Sequence, residues 1–234
     1  MPLSEKIRKE VLKYTRAEAA SIEKYWDRFA FVNEQLRETL AQEMCAAIHI
    51  NKLMEALHVE GLELHAHLKY QIVAYVGVFE ALIGCLLWDM FDAHEAMVNI
   101  TSKIELREVP ALAESTQVFH NNEPVVMAKR SRATLQEQLI RFDDKIDAAV
   151  EIGFITRNQG DVICSLYKLR NGIHLRNASK RNIAFDLEQS KQAFLLIKQV
   201  CHTMRDFLQQ KGLFRPQAVV SYHVWKASVG ASGV

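Results

Sequence analysis

Between Tyr70 and Met90 the chain reads YQIVAYVGVFEALIGCLLWDM, with Gln71, Glu80 and Asp89 as its only strongly polar side chains. A helix apolar on nearly every face has two physical homes, the hydrocarbon of a bilayer or the centre of a helical bundle. The three polar groups, and the lack of a basic flank after Met90, favour the bundle, and no membrane association is expected. Glu80 sits in the middle of this stretch and demands a partner there, because a carboxylate taken out of water is costly unless it is paired or protonated.

The rest of the chain supplies helices to surround such a core. Only 9 Gly and 4 Pro in 234 residues argue against a turn-rich β architecture. From Ser4 to about Leu57, Ile22, Trp26, Phe29, Leu36, Leu40, Met44 and Ile48 recur at three- and four-residue steps among Glu, Lys and Arg. That period predicts one long helix or two, with a break near Phe29–Asn33. The heptad is not sustained, which favours a bundle helix over a coiled coil. Gly61 interrupts the pattern, and the apolar helix is expected from about Glu63 to Met97.

Residues 101–130 change character: KIELREV and EPVVMAKR are β-like runs separated by Pro110 and HNNEP, giving a small irregular or β-like excursion. Ser131 is placed to cap a helix from Arg132 to Glu151 ending at Gly153, followed by a loop through Asn158-Gln159-Gly160. Two more helices are predicted, Asp161 to Ser179 and Asp186 to Gln210, the last stopped by Gly212. AVVSYHVW alternates like an edge strand, and ASVGASGV has the composition of a disordered end. The expected fold is therefore all-α: a helical bundle over 61–212, a long N-terminal helical arm over 1–60 and a tail over 213–234, in one compact unit.

Composition narrows the function. A formal net charge of +1 supplies no global field for nucleic acid, so any such site must be local. Cys45, Cys85, Cys164 and Cys201 lie far apart with no CxxC pair, as for buried thiols in a reducing compartment. The first twenty residues lack the apolar core of a secretory signal, and a cytoplasmic location is expected. Phosphate-loop, dinucleotide, zincin and nucleophile-elbow motifs are all missing. His58, Glu63, His65 and His67 invite a metal reading. His65 and His67, however, are two apart and would point roughly 160° from each other on a helix, so neither a metal nor another cofactor is expected.

Local charge does gather in one place. Between Arg157 and Asn182 stand Arg157, Lys168, Arg170, Arg176, Lys180 and Arg181 against a single acid, Asp161. On a helix Arg170 and His174 are one turn apart on one side, Asn171 flanks His174, and Asn177 and Arg181 continue the stripe along the border of an apolar face formed by Val162, Leu166, Leu169 and Ile173. A guanidinium and an imidazole in a basic setting suit an RNA phosphodiester, with Lys168, Arg176, Asn177, Lys180 and Arg181 as further RNA contacts.

The apolar helix QIVAYVGVFEALIGCLL, a later amphipathic helix and the segment LYKLRNGIHL together resemble the HEPN superfamily of helical-bundle proteins. The similarity covers roughly residues 62–207 without the excursion. Many members are metal-independent endoribonucleases, often toxins or anti-phage effectors, whose motif is an Arg, a polar residue and a His a few positions on. Arg170, Asn171 and His174 match these roles, although the gap between Arg170 and His174 is one residue shorter than the family's usual minimum. The resemblance implies that Arg170 holds the phosphate and His174 moves the proton; Glu80 and Tyr167 are candidates for supporting residues. It also implies a homodimer that brings two motifs together, and an antitoxin or sensor protein as a further partner. The same fold without activity, serving as a binding module for protein or nucleic acid, is the competing expectation.

Overall fold

The computed structural model describes residues 4–18, 21–108, 118–121, 123–125, 128–172, 185–215 and 220–231. Among them are nine α-helices: α1 Glu5–Glu18, α2 Ile22–Trp26, α3 Glu34–Leu57, α4 Gly61–Cys85, α5 Glu95–Thr101, α6 Phe142–Ile152, α7 Arg157–Asn171, α8 Leu187–Gln210 and α9 Tyr222–Ala231. Four strands lie between α5 and α6: β1 Ser102–Glu108, β2 Val118–His120, β3 Glu123–Val125 and β4 Ala128–Thr134. The protein is mostly helical, as its composition requires.

Helix α4 is the hub. It packs against α3, α6, α7 and α8, and Leu68, Ile72, Val76, Phe79, Leu82 and Ile83 are all buried along it. By length and composition Gly61–Met90 could cross a membrane, with a mean hydropathy of 1.8 over its most apolar window, but 61% of that window is buried in this fold. Neighbouring helices thus cover most of the surface that lipid would otherwise have to cover. The helix does not run to Met97. It passes into a π-helical turn, Leu86–Met90, and stops at Phe91, whose ring stacks on Phe154 at 5.8 Å between centroids. His94 restarts the chain as α5 by accepting the Ala96 N–H on Nδ1 at 3.2 Å.

The N-terminal segment is helical, as α1, α2 and α3, and the break expected near Phe29–Asn33 falls between Trp26 and Glu34, where Asn33 caps α3 by accepting the Leu36 N–H at 2.9 Å. Phe29, Phe31, Val32, Leu40, Ala41 and Met44 are buried in the same core as α4. No single long helix forms, because burying these side chains requires the chain to fold back on the hub.

The excursion is a β-ribbon. β1 and β4 pair antiparallel from Ser102 opposite Thr134 to Glu108 opposite Ala128, and β2 pairs with β3. Ser131 is consequently a strand residue opposite Glu105 and caps no helix; α6 begins only at Phe142. Gly153 ends α6 as expected, at φ 100°. The Asn158-Gln159-Gly160 loop is absent, since these residues form the first turn of α7. Thr156 caps that turn by accepting the Gln159 N–H, while the Gln159 side chain accepts the Thr156 N–H in return. The α8 boundaries follow the sequence closely, with an equivalent capping box from Asp186 and Gln189. Among the described C-terminal residues, Tyr222–Ala231 form helix α9, in place of the edge strand expected through Trp225 and the disordered end expected after it. Trp26 holds it, with ring centroids 5.3 Å from Tyr222 and 4.8 Å from Trp225.

Gly160 is there for close approach, not for a turn. A Cβ at this position would lie 2.9 Å from Ile146 Cγ2 and 3.2 Å from Val150 Cγ2 on α6. Gly160→Ala should therefore destabilise the fold by about 1–3 kcal/mol despite alanine's better helix propensity. A denaturant midpoint that rises on this substitution would refute the close-packing role.

Candidate functional site

Helix α7 buries Ile163 and Leu166 toward the hub, and this sets the direction of its last turn. Arg170 then falls on the border between buried and exposed faces, next to α4. Its Nη2 lies 3.5 Å from Glu80 Oε2, with the two side chains 35% and 31% exposed. Glu80 thus has the partner its place in an apolar helix demanded. An ion pair this accessible adds little stability, so its effect is chiefly to orient the guanidinium. Arg170 Nη1 also donates to Asn171 Oδ1 at 3.4 Å.

The ring of Tyr167 lies below the guanidinium, 5.7 Å from its carbon, and is itself stacked on Phe142 at 4.3 Å and 24°. A column of α6, α7 and α4 side chains therefore positions Arg170. The fold brings together Arg170, Asn171, Glu80 and Tyr167. Lys168 is exposed and two positions away, off this column. His174, Arg176, Asn177, Lys180 and Arg181 lie outside the described residues. Arg157, counted in the basic run, is bound to Asp147 at 2.6 Å, which lowers the charge that the run offers a polyanion.

Other chemistries find less support. His65 and His67 both lie on α4, and among the described residues no three His, Cys, Asp or Glu side chains are grouped to hold one ion. The four cysteines are thiols, not disulfides, and only Cys201 is fully buried; Cys45, Cys85 and Cys164 are half-buried. Burial pushes the Cys85 thiol up to about 12, helped by Asp89, whose Oδ2 accepts from it at 3.1 Å. It lifts Cys164 to about 11 and Cys201 to about 12.

Because the thiolate is the nucleophile, these groups should react slowly with a disulfide reagent at pH 8 in the native state and rapidly after unfolding. The raised values favour the protonated folded state, so their stabilising contribution is complete below the ordinary thiol value of 9 and is lost as pH rises toward about 12. Rapid native labelling of Cys85, Cys164 or Cys201 would contradict this assignment.

Comparison with protein-family models, with curated proteins and with solved structures found no match to this chain.

A second concentration of charge belongs to no sequence motif: Lys24 and Arg28 of the α2 region line one cavity with Lys198 and Arg205 of α8. The signal available was the spacing of Lys198, His202 and Arg205 at four- and three-residue steps, which puts three basic groups on one side of α8.

Proposed function

We propose that this protein is a HEPN-like, metal-independent endoribonuclease, with Arg170 as the phosphate-holding group and His174 as the general acid or base. The observation that carries this reading is the setting of Arg170: half-exposed at the end of α7, oriented by Glu80, backed by Tyr167 and adjacent to Asn171. A guanidinium held in place from one side can present its remaining N–H groups to a phosphate without first losing side-chain freedom.

RNA brings its own nucleophile, so the protein need only move protons and stabilise charge. A 2′-hydroxyl loses its proton to an imidazole and attacks the adjacent phosphorus, Arg170 stabilises the added negative charge, and the 5′-oxygen leaves with a proton. Two such transfers suit a homodimer in which each copy contributes a motif. A cytoplasmic toxin or defence effector restrained by an antitoxin or sensor is the setting this chemistry fits. The test is incubation of purified protein with RNA in EDTA. Fragments ending in 2′,3′-cyclic phosphate are expected, and intact RNA at stoichiometric protein would overturn the reading.

One feature favours the alternative of an inactive binding module. The carboxylate of Glu80 neutralises part of the charge on Arg170 and would repel an approaching phosphate. Under that reading RNA is retained without being cut, and Glu80→Gln strengthens retention.

A further inference from the structure

Two concavities, one between the α2 region and α8 and one among α2, α3, α4 and α8, share Lys24 in their linings and hold an excess of positive charge. The larger, about 620 Å³, is lined by Lys24, Arg28, Lys198 and Arg205 against one acid, Asp27. That acid is largely exposed, with its Oδ1 3.4 Å from Arg37 Nη2, so the four cations outweigh it. His202 also lines this cavity and leans on Asp206 at 3.3 Å.

Two of these cations are held in place: Arg28 lies over the Tyr25 ring at 4.7 Å, and Arg205 is tied to backbone. Arg205 Nη2 donates to the carbonyls of Asp27 and Arg28, each at 2.9 Å, which locks α8 to the turn after α2. Its Nε, however, finds no acceptor among the described residues, and neither does Nη1 of Arg28; both are shielded from solvent. Buried donors without acceptors are rare because each forfeits hydrogen bonds it would make in water. Both nitrogens lie behind the cavity surface, so the charge that a ligand would meet comes from the exposed Lys24 and Lys198 and from the lining faces of Arg28 and Arg205.

The smaller concavity, about 260 Å³, differs in chemistry. Tyr25, Tyr75 and Phe194 form its walls, Ser190 belongs to its floor and Lys191 stands at its rim. Ser190 is buried and donates to Gln71 Oε1, so the floor is polar but internally satisfied. Aromatic walls beside a cationic groove suit a ligand with a flat or apolar body and an anionic end.

We propose that this paired cleft binds a small phosphorylated molecule, its phosphate in the groove of Lys24, Arg28, Lys198 and Arg205 and its remainder against Tyr25 and Phe194. A phosphate monoester carries up to two charges and accepts donors from several directions, which matches guanidinium and ammonium groups converging from two helical regions. A nucleic-acid backbone would instead require cations strung along a track, whereas these are gathered around one hollow. The cleft shares no residue with the Arg170 column, so a binding assay here and a cleavage assay there succeed or fail independently.

Calorimetric titration of the full chain with phenyl phosphate and with inorganic pyrophosphate tests the proposal. Saturable one-site binding of phenyl phosphate is expected. Lys24→Glu and Lys198→Glu, both at exposed positions that the fold tolerates, should weaken it roughly tenfold to a hundredfold with an unchanged melting temperature. Three results would overturn it: no saturable binding of either probe at millimolar concentration, equal affinity in the charge-reversal variants, or displacement of the site's function to RNA, seen as oligouridylate binding that is lost in those variants while phenyl phosphate does not bind. Pyrophosphate binding as tightly as phenyl phosphate would overturn the role of the aromatic pocket.

Discussion

His174→Ala should reduce RNA cleavage in EDTA by about a hundredfold to ten-thousandfold, the usual contribution of a positioned general acid or base. The melting temperature should stay unchanged. The reasoning starts from the substrate: with the 2′-hydroxyl as nucleophile, the slow part of the reaction is moving two protons while the phosphorus gains charge. Imidazole is the side chain whose unperturbed pKa lies closest to neutrality, so it can hold or release a proton at little cost. Arg170→Ala should cause a loss of similar order by removing the charge that meets the transition state. If the two act on one phosphate, the double variant will lose little more than either single variant, because residues acting as a unit are strongly non-additive. Multiplying losses would mean that they serve separate steps or sites. Cleavage that survives His174→Ala within a few-fold would remove the mechanism altogether, whatever Arg170 does.

How far the sequence could carry a reader differs from element to element. The hub was legible because a stretch that is apolar on every face has few alternatives once a membrane is set aside, and Gly153 and Gly212 marked helix ends because both take positive φ. The β-ribbon was legible from alternation, but its far boundary was not: Ser131 has the side chain of a helix cap, and only its pairing opposite Glu105 shows it to be a strand residue. Asn158-Gln159-Gly160 misleads for a similar reason. Its composition is that of a loop, yet the glycine serves contact with α6 and the glutamine completes a cap, both consequences of packing and not of local preference. Helix α9 depends on Trp26, almost two hundred positions earlier. No local pattern encodes such a contact.

The candidate site divides along the same line. That Glu80 needed a partner followed from its place in the hub; that the partner is Arg170 depends on how α7 crosses α4. The cleft between α2 and α8 was not legible at all, since Arg28 and Arg205 are 177 positions apart and belong to no motif.

The largest stability effect should come from Arg37. It is 2% exposed, unusual for a guanidinium, and lies with its carbon 4.0 Å from the centre of the Trp26 ring. Nε donates to the Trp26 carbonyl at 2.5 Å, Nη1 to the Val220 carbonyl at 3.4 Å and Nη2 to Asp27 Oδ1 at 3.4 Å. Burial pulls its pKa down to about 10, opposed by Asp27 and Glu34, so it stays charged at neutral pH.

One side chain therefore ties the end of α2 to Val220, two residues before α9, where Trp26 Nε1 meets the same carbonyl at 2.9 Å. Arg37→Ala removes the donors, the stacking on Trp26 and the stem that fills the space between them. The expected cost is about 2–4 kcal/mol, from lost hydrogen bonds to buried carbonyls and lost packing, since Asp27 is 79% exposed and no buried charge is left unpaired. Arg37→Met keeps an apolar stem and avoids burying a charge, so it should cost clearly less, which separates the packing share from the hydrogen-bonding share. Limited proteolysis supplies a second readout: with Arg37→Ala, cleavage should begin within α9 under conditions where the wild-type helix is protected. A loss below about 1 kcal/mol with α9 still protected would show that the aromatic contacts of Trp26 with Tyr222 and Trp225 hold this end without the arginine.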